Sequence, residues 1–231
     1  MMNSMTKTLA RTALMMLALS CSNVLAEEDP WIGFNQKVQA FNDGTDRFLL
    51  KPVAQGYQAV VPRFARNSVG NFFSNLDDVT NAVNNVLQGK PLRGVSDVGR
   101  ILINTTLGLG GLFDPASGLG LVKHNESIGQ TLSVWGVPKG PYVVLPFLGP
   151  STLTDALSRP FDSRLNPVRY LHPVYHRNRT FGLNLIHQRA SFLRAEDAIF
   201  GDRYIFFRDA YLQRRNYLVN DGQVADDFDD F

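Results

Sequence analysis

Apolar positions along this chain fall into short stripes with a helical period, each cut off by a Pro, Gly or Asp. Phe34, Val38, Phe41, Thr45 and Phe48 recur at spacings of four, three, four and three, which predicts one face of an amphipathic helix. Asp29 and Pro30 mark its start, because Asp accepts from free amides and Pro is tolerated at the first helical position. Lys51 and Pro52 predict a kink or an end before the run Tyr57 to Val61, and Pro62 breaks the chain again. Val69, Phe72, Phe73 and Leu76 repeat the spacing, and Asp77 and Asp78 predict an interruption with capping chemistry. Val79, Val83, Val86 and Leu87 form the next stripe, ending near Gly89. Pro91 then opens a helix on which Val95, Val98, Leu102 and Thr105 share a face.

Between Gly108 and Pro150 the texture changes to frequent Gly and Pro with short apolar pieces. That predicts a long irregular segment, holding a short helix over Ser127 to Trp135 and an extended piece over Tyr142 to Phe147 after the turn Pro138-Lys139-Gly140-Pro141. Loops of such length in a compact domain are usually functional or disordered, and the apolar content here argues against disorder. Helical spacing returns at Phe181, Leu185, Gln188, Phe192 and Ala195, and again at Tyr204, Phe207, Tyr211 and Leu218. An acidic tail, Asp221 to Phe231, is expected to be mobile. The pattern is that of a mainly α chain whose body, residues 27–220, is one domain.

The amino terminus reads as an export signal: Lys7 and Arg11 precede an apolar run from Ala13 to Leu19 and a small-residue stretch. Two cleavage readings stand side by side. Val24-Leu25-Ala26 suits ordinary signal peptidase, which removes residues 1–26; Leu17 to Cys21 looks like a degenerate lipobox, which removes 1–20 and acylates Cys21. No later run reaches the roughly 20 apolar residues that a spanning helix needs. Cys21 is the only cysteine, so disulfides within the chain and cysteine zinc sites are excluded. The formal charge of +2 is carried off with Lys7 and Arg11, leaving a neutral body with no nucleic-acid footprint.

Catalytic and metal patterns are weak. His172 and His176 stand four apart, but Pro173 lies between them and no Glu follows His172, so the metalloprotease pattern is absent. His124, Glu126, Ser127 and Ser133 supply the residue types of a hydrolase, yet no serine has the Gly-x-Ser-x-Gly elbow. Gly108, Gly110 and Gly111 fit neither a dinucleotide nor a phosphate loop and suit tight turns and close packing. No metal and no cofactor is implied.

Sixteen Phe on broken amphipathic helices of an exported chain fit helices lying in a bilayer with their apolar faces outward. Charge facing hydrocarbon is costly, so Arg177 and Arg179, placed just before a helix, are expected to face water or lipid phosphates.

Ordered along the chain stand Asp29-Pro30-Trp31, Gly33-Phe34-Asn35, Phe41-Asn42, Lys51-Pro52 and Asn71-Phe72 to Leu76. Asn104-Thr105, Gly108 with Gly110-Gly111, Phe113-Asp114, Gly129-Gln130-Thr131-Leu132, Gly136 and Gly140-Pro141-Tyr142 to Leu145-Pro146 follow. Arg189-Ala190, Tyr204, Arg208-Asp209-Ala210-Tyr211 and Asp221-Gly222 complete the series. Over this whole length the chain resembles the MlaA (VacJ) family.

The resemblance implies a ring of short amphipathic helices in the outer membrane of a Gram-negative cell, around a central polar pore, with a long hairpin-like loop. It implies a non-enzymatic role: removing mislocalised phospholipid from the outer leaflet beside a trimeric porin, and passing it to the periplasmic carrier MlaC. Lipid asymmetry is thereby maintained. The segment Phe113 to Gly136 matches the family's mobile loop, with Gly136 at one hinge position and Pro138 where a second Gly is common. Asn42, Gly136, Arg177 and Arg179 are the candidates for shaping or lining the lipid path. The competing readings are a phospholipase using His124 with Ser127 or Ser133, and a purely structural envelope protein.

Overall fold

The structure is a computed structural model that describes residues 29–199 and 201–223. The leader, with Lys7, Arg11, Cys21 and Ala26, and the tail beyond Gln223 lie outside the described residues. The chain is mainly helical, as its periodicity predicts, with one two-stranded sheet among the described residues.

The first helix, α1 (Ile32–Thr45), runs through a π-helical turn at Asp46–Leu50 directly into α2 (Lys51–Val60). Of the kink or end predicted at Lys51-Pro52, the end does not occur, and a π turn marks the position instead. Proline lacks an N–H and its ring crowds the carbonyl four residues back; the wider turn sits at that position and carries the helix past the defect.

Pro62 does end α2. Helix α3 (Arg63–Leu87) then runs 25 residues without interruption, about 38 Å at 1.5 Å per residue. The break predicted at Asp77 and Asp78 does not occur. Asp78 is buried in mid-helix and finds Arg100 and Lys123 as partners, which removes the incentive to cap amides. Helix α4 (Pro91–Thr106) begins at its proline as expected and packs along α3.

The irregular segment contains the short α5 (Pro115–Gly118), whose N-cap Asp114 accepts from Ser117 N, and α6 (Ile128–Val134). Ser127 and Gln130 form a reciprocal capping box at the start of α6, which explains why a helix begins where the sequence places it. Strand β1 (Tyr142–Leu145) pairs antiparallel with β2 (Gly149–Thr152), Tyr142 opposite Thr152. Thr152 caps α7 (Leu153–Leu165), and α8 (Val174–Phe192) and α9 (Arg203–Val219) complete the fold.

Packing runs in a closed circuit. β1 rests on α1, β2 on α9, α9 on α6, α6 on α3, α3 on α8 and α8 on α2, which continues back into α1. The apolar core is small: Tyr142 and Val144 of β1 with Tyr204 and Leu212 of α9, joined by Val38 and Tyr211. No described helix is long and apolar enough to cross a membrane.

Candidate functional site

Burial is inverted relative to a water-soluble domain. The largest fully buried side chains include Arg100, Asn35, Asn84, Asn85, Asp78 and Asp97, whereas Phe48 is 81% and Leu92 86% exposed. On α3 the buried positions Asn75, Asp78, Asn81 and Asn85, and on α4 Asp97, Arg100 and Asn104, repeat at helical spacing on the inward faces. The apolar stripe Val95, Val98 and Leu102 lies on the outside of α4.

The inward faces meet in a polar layer of hydrogen bonds and ion pairs, in which only the buried Asn75 Oδ1 and Asn85 Oδ1 have no partner among the described residues. Arg100 donates from Nε to Asp78 (3.2 Å), from Nη1 to the Leu121 carbonyl (2.6 Å) and from Nη2 to Asp114 (3.1 Å). Lys123 reaches the other oxygen of Asp78 at 2.5 Å. Asn85 donates to Asp97 (2.7 Å), which also meets His124 Nδ1 at 2.7 Å, and Thr131 donates to Asn84 (2.8 Å). Burial works against ionised Asp114, but hydrogen bonds from Ser117, Asn104 and Arg100 hold its carboxyl down at about 2. For Asp97, burial prevails over the donors His124 and Asn85 and pushes the carboxyl up.

Beside this layer two cavities adjoin. One, of about 420 Å³, is bounded by Asp77, Thr80 and Asn81 of α3, the loop Asn125 to Ser127, α7 and Phe181 of α8. The second, of about 370 Å³, lies between α7 and α9 and is lined by Asp155, Arg159, Tyr211, Arg214 and Arg215. Ser127, Gln130 and Asp162 line both, so the two share a polar wall and together make up the polar tract. Its charge is graded. Burial raises the carboxyls of Glu126 and Asp162 at the first cavity, which Asp77 also lines, while guanidiniums dominate the second. There Asp155 is held low: its burial is outweighed by hydrogen bonds from Arg215 and Tyr211.

The lipid-path candidates Asn42, Gly136, Arg177 and Arg179 lie outside this tract. Asn42 Nδ2 donates to the Leu145 carbonyl (3.0 Å) and its Oδ1 accepts from Phe147 N (2.7 Å), so it clamps the β1–β2 turn. Gly136, at φ +87°, terminates α6: its N–H bonds to the Ser133 carbonyl and that of Val137 to the Leu132 carbonyl. Arg177 and Arg179 stand within α8 rather than before it, and Arg179 lies over the Tyr175 ring at 5.3 Å. The hydrolase candidates are otherwise engaged. Ser127 caps α6, Ser133 donates to the Gly129 carbonyl and accepts from Arg215, and His124 is bonded to Asp97. Asp221, at the root of the tail, is tied to Lys90 (2.5 Å) and Arg93 (2.6 Å).

Residues 27–218 match the family model of the MlaA lipoprotein. The chain belongs to the MlaA lipoprotein family. An Escherichia coli (strain K12) relative, the intermembrane phospholipid transport system lipoprotein MlaA, is 35% identical over 224 residues, covering 94% of this chain and 88% of its own. A Rickettsia felis relative is 41% identical over 143 residues, or 62% of this chain, a match that spans 57% of the relative's length. A solved chain from work on the structural basis for maintenance of bacterial outer membrane lipid asymmetry superposes with a TM-score of 0.74 at 35% identity. It covers 84% of this chain and 100% of the solved one. MlaA family membership thus rests on sequence and on fold together.

Proposed function

We propose that this protein is the outer-membrane component of a phospholipid transport system that maintains lipid asymmetry, and that it acts without catalysis. The observation that carries the reading is the polar tract inside a helical shell whose outer faces are apolar. Family membership and the names of its relatives point the same way.

A head group crosses hydrocarbon only at a high desolvation cost, because its polar atoms lose their water. A tract lined by Asn81, Ser127, Gln130 and Asp162 replaces that water with side-chain partners, while the acyl chains keep to apolar surfaces. No bond is made or broken, so no nucleophile is required. In the full reading, phospholipid that has strayed into the outer leaflet enters the tract beside a trimeric porin and leaves on the periplasmic side to MlaC. Gly136 and the loop before it would hinge at the mouth, and Arg177 and Arg179 would face water or lipid phosphates. Anchoring follows from acylation of Cys21, or is dispensable if cleavage follows Ala26.

Filling the tract is the direct test. Thr80 lines the first cavity from α3, and Thr80→Trp should obstruct it at unchanged protein abundance. Cells carrying it in place of the native chain should accumulate outer-leaflet phospholipid and become sensitive to detergent with chelator. A native leaflet distribution in cells making normal amounts of this variant would falsify the tract as the lipid route.

A further inference from the structure

A third cavity lies apart from the tract, where α2, α3 and α8 meet. It has a volume of about 230 Å³, shares no lining residue with the other two, and is lined by Tyr57, Arg63, Arg66, His187 and Arg194 but by no Asp or Glu. Its walls are braced by contacts that involve no carboxylate. Gln58 donates to the Ala190 carbonyl (2.6 Å), Arg66 donates to the Gln58 carbonyl (2.7 Å), and Tyr57 Oη lies 3.3 Å from His187 Nδ1.

Three guanidiniums facing one space repel one another, and none is bonded to a carboxylate among the described residues. The contrast with Arg189, which shares α8 with His187, is sharp: that side chain is held by Asp46 and Glu196. Arg63 also opens α3, a 25-residue helix whose N-cap Pro62 offers its first amides no side chain, so the positive end of the helix adds to the field. Such a cluster gains most from a multivalent oxyanion, and a guanidinium fork matches phosphate oxygens two at a time.

Apolar residues adjoin these arginines in sequence. Val60 and Phe64 are 81% and 74% exposed, and Phe192 is also exposed. A phosphate in the cavity with hydrocarbon on those side chains describes an amphiphile. We propose that this cavity is a docking site for a phosphate group, with Arg63, Arg66 and Arg194 donating to its oxygens and a phospholipid as the preferred source. It is a station separate from the transport tract and does not depend on that reading.

His187 reports occupancy from inside the cavity. Burial, and then Arg66, hold its imidazole below the ordinary value, and a bound anion reverses the second effect and raises it. The full chain in maltoside, with a His187→Gln variant to assign the resonance, is titrated by NMR with monomeric dihexanoylphosphatidylglycerol and, separately, with inorganic phosphate. The expected result is an upward His187 shift with the lipid, and an affinity weakened about tenfold or more in Arg63→Ala/Arg194→Ala but largely kept in Arg63→Lys/Arg194→Lys. A response to both probes supports a phosphate site indifferent to the source; a response to inorganic phosphate alone supports the site and removes the lipid as its source. Thr80→Trp should bind as the native chain does, which separates this site from the tract. No movement of His187 with either probe, or equal affinity in the alanine variant, overturns the proposal.

Discussion

The polar layer between α3 and α4 and the aromatic core between β1 and α9 stabilise one molecule by opposite means. In the first, Arg100 is 1% exposed and Asp78 not at all, and the two are held by directional hydrogen bonds. In the second, Tyr142, Val144, Tyr204 and Leu212 exclude solvent through contact area. The difference shows which surface the chain hides. A protein in water buries its grease; here much of it remains outside, where acyl chains can cover it, and the interior must be made specific by charge pairing. A layer of that kind tolerates loss poorly, because each missing partner strands a buried group.

The comparison breaks first at Arg100. Arg100→Leu leaves Asp78 with Lys123 and Asn81 alone, and leaves the Leu121 carbonyl without this donor. Stranding groups in such a layer costs about 3 to 5 kcal/mol, so this variant should show a large fall in thermal unfolding temperature or no recoverable folded protein. A melting curve close to the native one would mean that the layer is slack and that the charges are ornamental.

A smaller effect is expected on the outer face. Leu102 is 61% exposed on the apolar stripe of α4, so Leu102→Asp removes no internal contact of weight. Circular dichroism should be unchanged. In a bilayer the carboxylate costs up to about 3 kcal/mol if the stripe lies at hydrocarbon depth, so flotation with vesicles should fall sharply. Native flotation by this variant would show that the stripe faces water.

Parts of this contrast are legible in the sequence. The proline start of α4 and the Ser127 capping box are local signals, and helices begin at both. Asp78 misleads because its capping chemistry is visible locally, while its partners Arg100 and Lys123 lie 22 and 45 residues away. Pro52 misleads because a π turn, with no sequence pattern of its own, absorbs it. Strand β2 and helix α7 carry Pro150 and Pro160, which argue locally against either element. The lining of the tract is not legible as a pattern, since Thr80, Gln130, Asp162 and Arg214 come from four elements and share no spacing. Their common property is polarity at positions that face inward, which becomes visible only once the faces are assigned.

The finest test concerns a hydroxyl in the aromatic core. Tyr204 donates to Asp29 and Tyr211 donates to Asp155 at 2.5 Å, but the hydroxyl of Tyr142 is buried with no partner. Burial is also the main reason its phenol resists ionisation. Asn35 positions the strand through backbone bonds to the Tyr142 carbonyl (3.1 Å) and Val144 N (2.9 Å), which do not involve the ring. An orphan hydroxyl in such a place carries a desolvation penalty with nothing to offset it. Tyr142→Phe should therefore leave stability unchanged or raise it by up to about 1 kcal/mol, while Tyr211→Phe, which takes a donor from Asp155, should lower it by about 1 kcal/mol. Both are read from denaturant or thermal unfolding against the native chain. If Tyr142→Phe were instead the more damaging of the two, its hydroxyl would be bonded to an ordered water, and the aromatic core would share the polar logic of the α3–α4 layer.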